Sequence, residues 1–117
     1  MTQYEGGCHC GKVRFSVELE LENLMTCNCS ICGKTGTILA FVPKDKFEQT
    51  AGADALTDYQ FNSRSIHHLF CSTCGIRSFA HGTTPDGKES VAINVRCLDG
   101  VDVHTLNVAT KFEGRSL

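Results

Sequence analysis

The sequence has little of what marks proteins that bind nucleic acids or enter membranes. Its lysines and arginines are isolated, and the formal net charge is −2, so no surface for neutralising phosphates is expected and we predict no nucleic-acid partner. No apolar stretch approaches the ~20 residues that a membrane-spanning helix needs. The first residues, MTQYEGGCHCGK, carry neither the basic segment nor the apolar core of a signal peptide. We therefore expect a cytoplasmic protein with no membrane association.

Internal repeats, low-complexity tracts and Pro- or Ser-rich linkers are also missing. The chain has 117 residues, of which 41% are hydrophobic and 21% charged, which is ordinary for one soluble domain. A domain of this size buries enough surface for an apolar core but gains from a metal staple. We therefore expect residues 1–117 to form a single domain.

Period-two alternation is the main secondary-structure signal. In residues 12–22, apolar side chains from Val13 to Leu21 alternate with polar ones from Arg14 to Glu22, which predicts a strand with one buried face. Further strands are predicted at residues 37–42, 57–61, 66–70 and 91–95.

The connections between these strands are predicted as turns. Residues 62–65 suit a hairpin connection, and residues 77–81 are expected to lead into a turn at residues 85–87. Residues 101–106 are compatible with one helical turn. No amphipathic helix of three or more turns is expected, so the fold class is all-β, or at least β-dominated.

Seven of the eight cysteines fall into three tight clusters. In a reducing compartment, such spacing favours metal ligands over disulfides. Cys8 and Cys10 form one C-x-C pair, and Cys71 and Cys74 form a C-x-x-C pair followed by Gly75. Each pair supplies half of a tetrahedral zinc site. We therefore predict a closed structural zinc held by Cys8, Cys10, Cys71 and Cys74.

The third cluster, Cys27, Cys29 and Cys32, places three thiolates within six residues. With three protein ligands, a zinc ion keeps one position for water or substrate. Because three thiolates leave a net negative charge, such a site suits an incoming thiol better than hydroxide formation. The alternative is a second closed site whose fourth ligand comes from a residue elsewhere in the chain: Cys97, His9, His67, His68, His81 or His104.

Cys97 stands apart from the clusters. A free cysteine after a strand is most often a small buried hydrophobic residue. A redox or nucleophilic role for Cys97, together with the three-cysteine cluster, is the alternative.

These motifs resemble the glutathione-dependent formaldehyde-activating enzyme family. The matching segments are Gly7–Phe15, Cys27–Cys32 and Phe70–Phe79, with a weaker match from Asn94 to Asp99. They cover nearly the whole chain in the family's order. The resemblance implies a zinc-stapled antiparallel β-tent, with Cys8, Cys10, Cys71 and Cys74 on the structural zinc and Cys27, Cys29 and Cys32 on a catalytic zinc, that is, two zinc ions per chain.

The resemblance also implies a chemistry. The family's activity joins formaldehyde to glutathione, giving S-hydroxymethylglutathione, or cleaves that adduct as a carbon–sulfur lyase. The expected partners are therefore a small glutathione-like thiol and a small aldehyde. Lys34, Arg64 and Arg96 are possible cations for the carboxylates of glutathione, although each also suits an exposed surface charge. The alternative function is a non-catalytic, zinc-stapled protein-binding module.

Overall fold

The chain forms strands joined by short helical turns in a computed structural model that describes residues 2–60, 66–84 and 86–112. Within these ranges α1 (Cys32–Thr35) is the sole α-helix, and no described helix is long and apolar enough to cross a membrane. The predicted β-dominated fold class is confirmed. The strands, in chain order, are β1 (Thr2–Gly7), β2 (Arg14–Leu19), β3 (Leu24–Cys27), β4 (Leu39–Pro43), β5 (Phe47–Ala51), β6 (Leu56–Tyr59), β7 (Ile66–Cys71), β8 (Phe79–Thr83), β9 (Glu89–Asn94) and β10 (Val108–Phe112).

The strands form two sheets. The small sheet has three strands in the order β1-β2-β5, and the large sheet has seven in the order β10-β3-β4-β9-β8-β7-β6. Neighbouring strands are antiparallel except for β10, which lies parallel to β3 with Val108 opposite Leu24. The resemblance implied antiparallel sheets, and this one parallel pair is the exception among the described strands.

The strongest sequence prediction, the strand in residues 12–22, corresponds to β2. Phe15, Val17 and Leu19 are buried and Glu18 is exposed, as the alternation predicts. The hydrogen-bonded strand is shorter than predicted and ends at Leu19, which lies opposite Thr2 at the start of β1. The ladder ends there because its partner strand begins there.

The predicted strands of the large sheet are also confirmed, with shifts at their ends. The strand predicted at residues 37–42 begins at Leu39, and the one at 91–95 ends at Asn94. β6 and β7 pair antiparallel, with Tyr59 opposite His68. The proposed connection at residues 62–65, together with Phe61, lies outside the described residues.

Two turn predictions can be compared with the structure. After β8, the Gly87 N–H donates to the Thr84 carbonyl at 2.9 Å, in agreement with a turn at 85–87, although Pro85 is not among the described residues. In residues 101–106 the chain forms a single 3-10 turn, Val103–Thr105. Further 3-10 turns lie at Lys44–Lys46, Ala53–Ala55 and Val95–Cys97.

The apolar faces of the two sheets pack against each other around three phenylalanines. Phe15 of the small sheet has its ring centroid 5.7 Å from Phe47 and 5.8 Å from Phe79, and Phe47 and Phe79 are 4.7 Å apart. Leu24 and Ile93 of the large sheet are fully buried beside them. These residues belong to one hydrophobic core cluster, which holds the ends of β1, β3 and β7 in place.

The opposite face of the large sheet exposes large apolar side chains. Phe41, Tyr59 and Ile66 are 56%, 49% and 51% exposed, respectively. The pairing register places them on one face. Phe41, Ala92, Ala80, His68 and Tyr59 lie side by side on neighbouring strands, and Ile66 lies two residues before His68 on the same strand. We call this surface, defined by Phe41, Tyr59 and Ile66, the outer face.

Candidate metal centres

Four cysteines from two distant segments meet at one point. The Sγ atoms of Cys8, Cys10, Cys71 and Cys74 all lie within 4.8 Å of one another. Cys10 Sγ lies 3.6 Å from both Cys8 Sγ and Cys71 Sγ. Thiolates at about 2.3 Å from a tetrahedral zinc would be separated by about 3.8 Å, so the cluster has the right size. The predicted grouping of these residues is therefore present in the fold.

The first two ligands lie in the turn that joins β1 to β2. The Cys8 N–H donates to the Val13 carbonyl at 3.1 Å, and the Val13 N–H donates to Cys8 Sγ at 3.3 Å. This reciprocal pair fixes the thiol of Cys8 against the core. Cys10, one turn further, is exposed.

The other two ligands lie in a tight turn after β7. The Gly75 N–H donates to the Cys71 carbonyl at 2.8 Å, and the Thr73 N–H donates to Cys71 Sγ at 3.4 Å. Gly75 has φ +79°, a conformation that side chains with a Cβ rarely adopt. Glycine at this position therefore permits the turn.

The four thiols differ in pKa because they lie close to one another and to different backbone amides. Amides of Ile76 and Cys10 lower the pKa of Cys74 to about 6. For Cys10 the Lys12 amide lowers the pKa, but burial and hydrogen bonds to the other three thiols outweigh it and raise the pKa to about 11. Four thiols this close cannot all be deprotonated unless a cation balances their negative charge. A soft divalent metal is the ion that such a donor set fits.

The three-cysteine cluster is local. Cys27 ends β3, Cys32 begins α1, and Cys29 lies between them; their Sγ atoms are within 4.8 Å of one another. The Cys29 N–H donates to Cys27 Sγ and the Cys32 N–H donates to Cys29 Sγ, each at 3.4 Å. Gly36, with φ +69°, ends the helix by donating its N–H to the Cys32 carbonyl at 3.1 Å. These contacts shape the loop so that all three thiols point to one place.

No fourth His, Cys, Asp or Glu joins this cluster among the residues that the structure describes. The sequence left open a closed site with a remote fourth ligand, and the described candidates for that role lie elsewhere: Cys97, His9, His67, His68, His81 and His104. Among the described residues, the cluster therefore offers three protein ligands.

The thiols of this cluster also differ in pKa. Burial raises the pKa of Cys32 to about 12, with a further contribution from the neighbouring Cys29. Burial also raises that of Cys29, but amides of Cys32 and Ile31 outweigh it, so the pKa of Cys29 is lowered. Cys29 is thus the thiol of this cluster that the local backbone favours as a thiolate.

Cys97 and the histidines form other contacts. Asn94 Nδ2 lies 3.5 Å from Cys97 Sγ, and the half-buried thiol packs against the core, which fits the small-hydrophobic interpretation. At another part of the sheet, His67 Nδ1 lies 2.6 Å from Asp58 Oδ2, and the rings of His67 and His81 stack at 4.7 Å.

Arg77 is the residue that the sequence reasoning missed. It follows the Cys74–Gly75 turn, and its guanidinium carbon lies 5.8 Å from the centre of the Phe70 ring. Burial lowers the pKa of Arg77, and the charges of Cys32 and Tyr59 act in the opposite direction. The sequence signal was present, since Arg77 lies within the matching segment, but an arginine in a turn looks like surface charge. Of the cations proposed instead, Lys34 and Arg96 are exposed, and Arg64 lies outside the described residues.

Comparison with known proteins supports the relationship that the motifs indicate. A crystal structure of a Rhodobacter sphaeroides protein superposes with a TM-score of 0.81 at 36% sequence identity, covering 92% of this chain and 98% of that chain. The family described as "Glutathione-dependent formaldehyde-activating enzyme" matches residues 3–112. Both cysteine clusters lie inside that match. The chain therefore belongs to the glutathione-dependent formaldehyde-activating enzyme family.

Proposed function

We propose that the protein is a zinc-dependent carbon–sulfur lyase that forms and cleaves the adduct of a small thiol with a small aldehyde, in the family's case glutathione and formaldehyde. The observation that carries this proposal is the three-cysteine cluster, which has no fourth protein ligand among the described residues. A purely structural site would be closed by four protein ligands.

The proposal assigns different roles to the two clusters. Cys8, Cys10, Cys71 and Cys74 would hold a structural zinc, and Cys27, Cys29 and Cys32 would hold a catalytic zinc. All-thiolate donor sets select zinc over magnesium, calcium or manganese. Because disulfide formation would consume these ligands, we also place the protein in the reducing cytoplasm.

The reaction needs a thiolate and an accessible carbonyl carbon. When bound, zinc supplies positive charge that favours the thiolate form of an incoming thiol. The substrate thiol gives its proton to water. Its sulfur then attacks the aldehyde carbon, so that a C–S bond forms, the carbonyl π pair moves to oxygen, and that oxygen takes a proton back from water. Cleavage of the adduct is the reverse. The Cys29 and Cys32 amides donate to the thiols of Cys27 and Cys29, which orients these ligands in their loop.

The test is exchange NMR of formaldehyde with glutathione. We expect exchange faster than the uncatalysed background with the wild-type protein and background exchange with Cys29→Ser, whose metal content should fall by one zinc while its fold persists. Cys97→Ser, which removes a thiol outside both clusters, is the matched control and should retain exchange. Background exchange with the wild-type protein, when metal analysis shows both zinc ions bound to it, would refute the proposed activity.

The outer face supports a second candidate, a non-catalytic protein-binding module. Phe41, Tyr59 and Ile66 expose large apolar side chains on one sheet face, and such patches often mark interaction sites. A binding module has no need for an open metal position. If no small thiol perturbs the spectrum of the cobalt-substituted protein, the module is the better account.

A further inference from the structure

Two histidines outside both cysteine clusters lie side by side on the large sheet. The strand register pairs His67 of β7 with His81 of β8, so both side chains leave the face opposite to the outer face. Their rings stack, with centroids 4.7 Å apart and an interplanar angle of 30°. Directly opposed residues of antiparallel strands have Cβ atoms about 4.5–5.5 Å apart, so the backbone itself keeps the two imidazoles together.

A carboxylate from the next strand orients the first of these rings. Asp58 Oδ2, on β6, lies 2.6 Å from His67 Nδ1. Because an ionised carboxylate can only accept a hydrogen bond, Nδ1 of His67 carries the proton, and in the neutral ring Nε2 keeps its lone pair. Metal-binding histidines use this arrangement, in which a carboxylate holds one ring nitrogen and the other nitrogen binds the ion.

The second ring keeps its nitrogens available. Within the described ranges no hydrogen bond holds the side chain of His81, which is exposed and contacts the His67 ring. Burial of part of the ring lowers the pKa of His81, and the nearby charge of His67 adds to this effect. The His81 ring is therefore neutral near pH 7, which is the form that binds a metal.

A second carboxylate lies on the far side of the histidine pair. Glu89 of β9 is the diagonal neighbour of His81, because the register places Glu89 opposite Thr83, and diagonal neighbours are within reach of long side chains. Glu89 is paired with Lys44 at 3.1 Å, but 60% of its side chain is exposed, so this ion pair is weak. With Asp58 on one side and Glu89 on the other, the two rings have negatively charged surroundings that favour a cation.

The spacing of the two rings fits a single ion. Imidazole nitrogens bind zinc at about 2.0–2.1 Å, so two rings on one tetrahedral ion have centroids about 5 Å apart, close to the 4.7 Å observed. We propose that His67 and His81 bind one divalent transition-metal ion, such as Zn²⁺ or Ni²⁺, and that Asp58 is the positioning residue for His67. Imidazole is a preferred ligand of these metals. Glu89 or water fills the remaining positions.

Nickel titration of the zinc-loaded protein, followed by proton–nitrogen NMR of the imidazole rings, tests this site. We expect paramagnetic Ni²⁺ to broaden the signals of His67 and His81 at concentrations that leave the signal of His104 sharp. His104 is an exposed histidine of the turn Val103–Thr105. In calorimetry, His81→Gln should lose nickel binding, and His104→Gln should keep it. Asp58→Ala should weaken binding about ten- to hundredfold and, without nickel, should change the tautomer that the nitrogen shifts of His67 report.

Other outcomes overturn the inference. Failure of nickel to broaden the signals of His67 and His81, or broadening of His104 at the same concentration, would do so. Equal nickel affinity of wild type and His81→Gln would do so too, as would metal analysis showing that nickel binds only by displacing zinc from the cysteine clusters. Unchanged affinity in Asp58→Ala would refute its positioning role. Because the broadening is observed on the wild-type protein, the test does not depend on whether a variant folds.

Discussion

The two cysteine clusters use the same side chain, but one takes its ligands from distant segments of the chain and the other takes them from a single loop. The four-cysteine cluster joins residues separated by 61 positions, Cys10 and Cys71, and connects the turn after β1 in the small sheet with the turn after β7 in the large sheet. The three-cysteine cluster takes all its ligands from one loop between β3 and α1. A metal in the first site closes a long loop and binds two sheets together, whereas a metal in the second organises only its own loop. This difference is what the proposed division into a structural and a catalytic site rests on.

The largest difference in stability is expected when one cysteine ligand is removed from each cluster in turn. Cys71→Ala should unfold the protein or leave it aggregated, because structural zinc contributes on the order of 10 kcal/mol, comparable to the net stability of a domain. Cys29→Ala is the matched variant and should lose one zinc while it still unfolds cooperatively near the wild-type temperature. Thermal unfolding followed by circular dichroism, with metal analysis, compares the two. If Cys71→Ala melts like wild type, the assignment of roles is wrong.

An intermediate effect is expected from the glycine that shapes each loop. Gly75 and Gly36 both have positive φ, and a Cβ on either would meet nothing within 4 Å, so alanine at each imposes the same backbone strain of roughly 1–2 kcal/mol. Gly75→Ala should lower the urea midpoint, because its turn connects the two sheets. Gly36→Ala should weaken metal retention by the three-cysteine cluster more than it lowers the midpoint. Equal effects on both readouts would show that the loops do not differ in this way.

The smallest effect concerns an ion pair that also joins distant segments of the four-cysteine region. Arg14 Nη1 lies 3.3 Å from Asp99 Oδ1, and this partner lowers the pKa of Asp99. Because the folded-state pKa is depressed, the stabilisation is present above the unfolded pKa of about 3.9 and is lost as pH falls through the folded value. Asp99→Asn should therefore cost less than about 1 kcal/mol near neutral pH, since the pair is largely exposed.

The measurement for this pair is urea unfolding of wild type and Asp99→Asn at several pH values. The two stability curves should converge as the pH falls through the lowered folded-state pKa of Asp99, because below it both proteins lack the charged carboxylate. Glu48→Gln, which neutralises an exposed carboxylate of β5, is the control and should follow wild type throughout. A difference that persists at low pH would mean that Asp99 acts through packing rather than charge.

Spacing made both metal clusters predictable from sequence. Three ligands within six residues must share a loop, and two separate cysteine pairs need each other to complete a four-ligand site. Alternation did the same for β2, whose inward residues from Phe15 to Leu19 fill the core. β1, β3, β5 and β10 were not predicted, because their sequences TQYEGG, LMTC, FEQTA and VATKF lack sustained apolar alternation. Such strands exist because a neighbouring strand pairs with them, which local sequence does not encode.

Arg77 illustrates the same limit. Nothing in Cys74-Gly75-Ile76-Arg77 distinguishes a half-buried cation from a solvated one. Its guanidinium carbon lies 5.8 Å from the centre of the Phe70 ring, and its Nη1 atom is buried. These surroundings arise from tertiary packing, which local patterns do not encode.

The parallel pairing of β10 with β3 has a consequence for how the chain reaches this fold. On one side β3 contacts β4, with Met25 opposite Leu39, a short chain closure. On the other side it contacts β10, where Val108 lies opposite Leu24, roughly eighty residues away. Contacts over that length of chain form slowly, so one edge of β3 stays unpaired until late in folding. An unpaired strand edge can pair with another chain. Refolding yield, rather than equilibrium stability, is therefore the property that we expect substitutions in β10 to change most.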